Sequence, residues 1–85
     1  MTVTNLTLSL ENGLQSSQAT RIAQTANAFE SRIVITRDER SVNAKSILGI
    51  LALDLTAGDR ITVTATGDDE EAAACAIVKL ISTFE

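Results

Sequence analysis

Apolar and polar residues alternate with a period of two from Thr2 to Leu10, where Leu6, Leu8 and Leu10 interleave with Asn5, Thr7 and Ser9. That rhythm predicts a half-buried strand. Glu11-Asn12-Gly13 interrupts it, and Gly13 suits a turn. From Ser16 to Asn27 the spacing becomes helical, with Ala19, Ile22, Ala23, Ala26 and, beyond them, Phe29; this predicts an amphipathic helix starting near Gln15. Ser31 to Thr36 reads as a second strand with Ile33 and Ile35 on one face. Arg37-Asp38-Glu39-Arg40 follows as a charged turn, and Ser41 to Ala44 as a short third strand. The two strands form a hairpin, although no glycine marks its turn. Arg60 to Thr66 is the clearest strand, with Ile61, Val63 and Ala65 against Thr62, Thr64 and Thr66. Gly67 ends it, and Asp68 or Asp69 caps a last helix, Asp68 and Glu71 having capping-box spacing. Glu70 and Glu71 suit the positive end of that helix, and Ala73, Ala76, Ile77, Leu80, Ile81 and Phe84 form its buried stripe.

The segment Val42 to Leu53 breaks the economy of this pattern. At about 100° per residue, Ile47, Leu48 and Leu51 span an arc of about 100°, while Ile50 and Leu53 fall to one side of it. Together they cover about 220°, twice the stripe that docks a surface helix on a core. One group therefore faces the core and the other, Ile47, Leu48 and Leu51, faces outward as a contact surface begun by Ser46. The element order is βαββαβα, an α+β arrangement. An antiparallel sheet with helices on one side satisfies it, as does a ferredoxin-like plait.

Composition narrows the function classes. Eighty-five residues make a single domain over 1–85, and two aromatics, Phe29 and Phe84, leave an aliphatic, alanine-rich core. A net charge of −4 and the absence of Trp and Tyr argue against direct nucleic-acid binding, and the charge also argues against an anionic membrane surface. Cys75 is alone, so no internal disulfide forms; its alanine-rich setting predicts a small buried or half-buried thiol. With no long apolar run and no leader-like start, a cytoplasmic protein is expected. There is no histidine, which removes His-based nucleophile activation and the commonest zinc ligand. No cofactor or metal site is expected, since Asp68, Asp69, Glu70 and Glu71 lack the spacing of a calcium loop.

Gly13-Leu14-Gln15, Asn27-Ala28-Phe29-Glu30-Ser31, Val42-Asn43-Ala44-Lys45-Ser46-Ile47, Leu51-Ala52-Leu53 and Gly67-Asp68-Asp69-Glu70 line up together. At this spacing the chain resembles the HPr family, the small phosphocarrier proteins of the bacterial phosphotransferase system. The resemblance implies an open-faced β-sandwich with sheet order 1-4-2-3 and three helices on one face. It also implies a phosphoryl-accepting histidine directly after Gly-Leu, and Gln15 stands there instead. An amide nitrogen is delocalised into its carbonyl and does not accept a phosphoryl group. Glutamine at that position with the serine block kept is similar to the catabolite-repression branch of the family, Crh. There only the serine is phosphorylated, by HPr kinase/phosphorylase, and the product is a corepressor for the transcription regulator CcpA.

Carried over, the modified residue is Ser46 and the contact residues are Ile47, Leu48 and Leu51, with Gln15, Ser17 and Lys45 bordering them. Lys45 reads as a solvated lysine that moderates the charge of a phosphorylated neighbour. The family continues past the acceptor position with a small residue and then Arg-Pro; here Ser16, Ser17 and Gln18 stand instead, and Glu39 replaces a hairpin glycine. From the pattern alone Ser46 reads as a plain helix cap, and it is the resemblance that turns the reading to a phosphorylation site. Two further readings stay open: phosphotransfer through Ser16 or Ser17, and a scaffold that binds through the 47–51 patch without phosphorylation. An exposed first strand or the patch allows a weak homodimer beside the monomer.

Overall fold

The computed structural model describes residues 1–9 and 13–84. Its elements are β1 (Thr2–Thr7), α1 (Ser16–Asn27), β2 (Arg32–Arg37), β3 (Arg40–Asn43), α2 (Ile47–Ala52), β4 (Arg60–Thr66) and α3 (Glu70–Thr83). The four strands form one antiparallel sheet in the order β1-β4-β2-β3, which decides between the two arrangements that element order left open. Ile33, Ile35, Ile61, Val63 and Ala65 point to the helix side, where they meet Ala19, Ile22, Ala23 and Ala26 of α1 and Ile77 and Ile81 of α3 in one core. The opposite face is open and carries Thr62, Thr64 and Thr66 of β4 beside Arg32, Val34 and Thr36 of β2. Period-two sequences thus bury one face and hydrate the other. Among the described residues no helix is long and apolar enough to cross a membrane.

The boundaries of α1 agree with the helical spacing. β1 ends at Thr7, shorter than the alternation to Leu10, which lies outside the described residues; Leu8 is buried and Leu6 half-buried on its inner side. β3 spans Arg40–Asn43 and not Ser41–Ala44, with the Ala44 N–H still bonded to the Ile33 carbonyl at 2.9 Å. The hairpin dispenses with glycine because Asp38 takes the left-handed conformation, φ 54°, which short polar side chains tolerate.

Three expectations for α3 are corrected. Its first residue is Glu70, and the Asp68–Glu71 capping box is not formed. Asp69 occupies the cap position, but its carboxylate turns away from the helix and accepts the N–H groups of Glu30 and Ser31, both at 2.9 Å, and the Ser31 hydroxyl. Ser31 is buried, and a buried polar group needs a partner within the protein, which the Asp69 carboxylate supplies. The helix's inner stripe is Ala73, Ala74, Ile77 and Ile81, while Ala76, Leu80 and Phe84 are half-buried at the rim. Cys75 is exposed and not a buried thiol. The sheet meets α3 along 73, 77 and 81, and Cys75 lies about 160° around the helix from Ile77.

Three carboxylates sit below their ordinary range. Asp69 is lowered chiefly by the Ser31 hydroxyl and then by the Glu30 N–H. Asp59 is lowered chiefly by the Thr56 N–H, with the Thr56 hydroxyl and Arg37 assisting. Glu70 is lowered chiefly by the chain's amino group, 2.7 Å away, and then by the Thr2 hydroxyl. Depressed folded-state values mean that the unfolded chain takes up protons first as pH falls. The stabilisation is therefore complete above the unfolded carboxylate values and lost as pH drops through the depressed ones. Urea midpoints measured against pH are expected to hold near neutrality and fall in acid, with a shallower fall in Asp69→Asn, which has already lost that contribution.

Candidate functional site

The α2 segment is held at both ends. At its start the Ser46 Oγ accepts the Gly49 N–H at 3.1 Å, with the backbone of Ser46 extended at φ −105° and ψ 115°. This is the geometry of an N-cap, worth about 1 kcal/mol. At its end Asp54 turns left-handed, φ 51°, and two hairpin arginines gather the terminal carbonyls. Arg37 Nη1 donates to the Leu53 carbonyl at 2.5 Å and the Asp54 carbonyl at 3.3 Å, and Arg40 Nη1 donates to the Ala52 carbonyl at 3.3 Å. Cations at the negative end of a six-residue helix offset the weak cooperativity of so short a segment. Arg37 also pairs with Asp59 at 3.4 Å, which holds the Thr56 turn.

Fixed in this way, α2 divides its apolar residues as its period predicts. Ile50 and Leu53 are buried in the core, whereas Ile47 is 39%, Leu48 79% and Leu51 37% exposed. Ser46 and these three residues form one exposed surface: a hydroxyl at the helix start with an apolar patch beside it. A phosphate placed on such a hydroxyl would add about −1.5 to −2 charge at a helix N-terminus, where negative charge is favoured.

Lys45 departs from expectation. It is half-buried, and its Nζ donates to the Phe29 carbonyl at 2.9 Å, just past the end of α1. Asn27 Nδ2 reaches the Lys45 carbonyl at 3.2 Å from the same helix end. The carbonyl-rich terminus of α1 attracts the ammonium, so Lys45 serves as a tie between α1 and α2 and not as a freely solvated lysine.

Gln15 is the N-cap residue of α1 and is exposed. Its carbonyl accepts the N–H groups of Gln18 and Ala19, and the Gln18 Oε1 returns to accept the Gln15 N–H at 2.8 Å. Ser16 and Ser17 follow, both exposed, in the first turn. Leu14 donates to the Leu55 carbonyl at 3.0 Å, which fastens this corner to the loop leaving α2. Spacing alone assigns no role to Arg37 or Arg40. Their position in a turn of mixed charge offered no signal that they would reach across to α2. Among the described residues no group of three His, Cys, Asp or Glu side chains is placed to hold a metal.

The site thus consists of a four-stranded sheet open on one face and a capped short helix that displays apolar side chains. The chain belongs to the HPr family: residues 3–83 match the family profile described as the PTS HPr component phosphorylation site. It is 42% identical over 72 residues to the HPr-like protein Crh of Halalkalibacterium halodurans, covering 85% of this chain and 86% of that protein. Among solved structures it is similar to HPr-C-His from Thermoanaerobacter tengcongensis, with TM-score 0.92, 38% identity and coverage of 99% and 94% of the two chains. It is also similar to the Crh of Bacillus subtilis, described as a swapped dimer, with TM-score 0.79, 32% identity and coverage of 98% and 95%. The family comprises phosphocarrier and HPr-like proteins and not catalysts in their own right.

Proposed function

We propose that this chain, acting as one HPr-like domain over residues 1–85, is a cytoplasmic regulator of carbon catabolite repression. Ser46 is phosphorylated by an HPr kinase/phosphorylase, and the modified form is a corepressor of a CcpA-like transcription regulator. The observation that carries this reading is the pairing of an exposed Ser46 with the exposed Ile47, Leu48 and Leu51. In the modification the Ser46 Oγ bonds to the γ-phosphorus of ATP as the bond to the bridging oxygen breaks, the kinase takes the hydroxyl proton and ADP departs. The phosphate leaves the apolar patch in place and sets a dianion at its edge, which a partner's basic residues can read through charge-assisted hydrogen bonds. Gln15, Ser17 and Lys45 border the same docking surface. With Gln15 at the acceptor position, the chain does not carry phosphate by way of histidine. Crh-type dimers are described among the similar structures, and a weak homodimer belongs to this reading.

Incubation with an HPr kinase and ATP, followed by mass spectrometry, is expected to add one phosphate to the wild-type chain and none to Ser46→Ala. Equal labelling of the two would overturn the reading. Phosphoenolpyruvate with enzyme I is expected to leave the protein unlabelled; label on Ser16 or Ser17 would favour a carrier with a different acceptor. The Ser46 hydroxyl oxygen already has a structural task as the cap of α2, and this favours a second reading: a scaffold that docks through the 47–51 patch without modification.

A further inference from the structure

The face of the sheet turned away from the helices differs in charge from the molecule as a whole. The chain has a net charge of −4, yet among the described residues this face carries hydroxyls, amides and the guanidinium groups of Arg32 and Arg60, and no carboxylate. Arg32 lies opposite Thr66, beside the acidic turn Gly67-Asp68-Asp69-Glu70. Arg60 stands at the other end of β4, opposite Thr7, and is exposed. Its chain neighbour Asp59 is engaged by the Thr56 N–H at 2.8 Å and by Arg37, and no described carboxylate pairs with Arg60.

A hollow of about 440 Å³ opens beside Arg60, lined by Asn5, Leu6, Thr7, Arg60, Ile61 and Thr62. Leu6 and Ile61 turn their side chains to the helix side, so their backbone is its floor and the other four residues frame it. The frame is tight. Leu8 N–H donates to the Asp59 carbonyl, which makes Asn5–Thr62 and Thr7–Arg60 non-hydrogen-bonded pairs of this ladder, the kind whose side chains stand closest. The Thr62 hydroxyl donates to Asn5 Oδ1 at 2.7 Å, and this orients the amide with both Nδ2 hydrogens unused. Asn5 Nδ2, the Thr7 hydroxyl and the Arg60 guanidinium find no acceptor among the described residues. The hollow therefore presents donors from three residues, and one of them carries a full positive charge.

We propose that this hollow binds a small phosphomonoester, with the phosphoryl group on Arg60, Thr7 and Asn5 Nδ2 and a short hydroxylated body along Thr62 and Thr64. A guanidinium takes two oxygens of an oxyanion at once. The separate donors of Thr7 and Asn5 then suit the remaining oxygen of a tetrahedral group, which a planar carboxylate lacks. The volume exceeds that of a bare phosphate and falls among small-molecule sites, which run from about 300 to 1,000 Å³. Thr62 and Thr64 can exchange hydrogen bonds with a polyol, whereas an apolar ligand has no wall to bury against. With no aromatic side chain in the lining, binding is weak, with a dissociation constant on the order of 1 mM. The site lies across the sheet from α2, so it stands or falls independently of Ser46.

The test is a titration of the isotope-labelled chain with glycerol phosphate, followed by NMR, with chloride at matched ionic strength as the control. Saturable shifts are expected at the amides of Asn5, Leu6, Thr7, Arg60, Ile61 and Thr62, with inorganic phosphate weaker and glycerol without effect. Asn5→Asp keeps an acceptor for Thr62 but exchanges the unused donor for a negative charge, and Arg60→Gln removes the positive one. Both positions are exposed, so the spectrum elsewhere is expected to stay unchanged while each variant binds about tenfold or more weakly. Arg60→Lys keeps the charge without the fork and is expected to lose less. Shifts no larger than those of chloride, or an affinity unaltered in Asn5→Asp and Arg60→Gln, would overturn the proposal. So would saturation confined to residues 13–19, which would place the anion at the start of α1. Equal affinity for inorganic phosphate would overturn the choice of an ester.

Discussion

Gly67→Ala is expected to lower stability by about 3 kcal/mol or more, a fall in melting temperature of more than about 10 °C for a domain of this size. A β-carbon at position 67 would stand 2.7 Å from the Ser31 hydroxyl oxygen and 2.8 Å from the Ser31 α-carbon. Neither neighbour can yield cheaply. Ser31 is 1% exposed, and its N–H and hydroxyl are both committed to the Asp69 carboxylate. The backbone at Gly67 adds strain of its own, since φ is +150°, a region that side chains resist. Urea denaturation of the wild type, Gly67→Ala and the double variant Gly67→Ala/Ser31→Gly checks the cause. The double variant is expected to recover part of the loss, because the hydroxyl and β-carbon contacts go while the α-carbon contact stays. Independent, additive losses would place the damage elsewhere.

This junction shows where sequence reading stops. Period and charge located β4, the glycine that ends it and the acidic start of α3 within one or two residues, because all three are local properties of the chain. The partner of Asp69 is not local. It lies 38 residues away, immediately before β2, and nothing in the spacing of Asp68 and Glu71 says that a buried serine will compete for a carboxylate. The same distinction separates Ser46 from Lys45. The serine's capping bond closes within its own helix and follows from sequence. The lysine's bond to Phe29 depends on how α1 meets α2, as do the reaches of Arg37 and Arg40 to the carbonyls ending that helix. The exposure of Cys75 is hidden from the sequence for a related reason. Its alanine neighbours hid the helix phase, and only the docked position of α3 decides which small residue faces water.

Leu48→Asp is expected to abolish docking on the α2 patch while leaving the fold nearly as stable as before. Leu48 is 79% exposed and contributes little to the core, so a change within about 0.5 kcal/mol is expected in urea denaturation. In an interface the same side chain would be a central apolar anchor; replacing it with a carboxylate loses its burial and leaves a charge in a desolvated pocket. Anchors of this kind cost about 2 kcal/mol or more, equivalent to a roughly thirty-fold or greater loss of affinity. Binding of the phosphorylated wild type to a CcpA-like regulator, compared by calorimetry with phosphorylated Leu48→Asp and with Ser46→Ala, separates the two readings of the site. For a phosphorylation switch both variants lose binding, the first through the patch and the second through the missing dianion. For an unmodified scaffold Ser46→Ala retains binding, apart from the modest loss caused by uncapping α2, and only Leu48→Asp loses it. Retention of affinity by Leu48→Asp would remove the α2 patch from either account. The contrast is sharp because α2 buries Ile50 and Leu53 to hold its place and keeps Ile47, Leu48 and Leu51 outside. Position and contact are thus carried by different residues of one short helix.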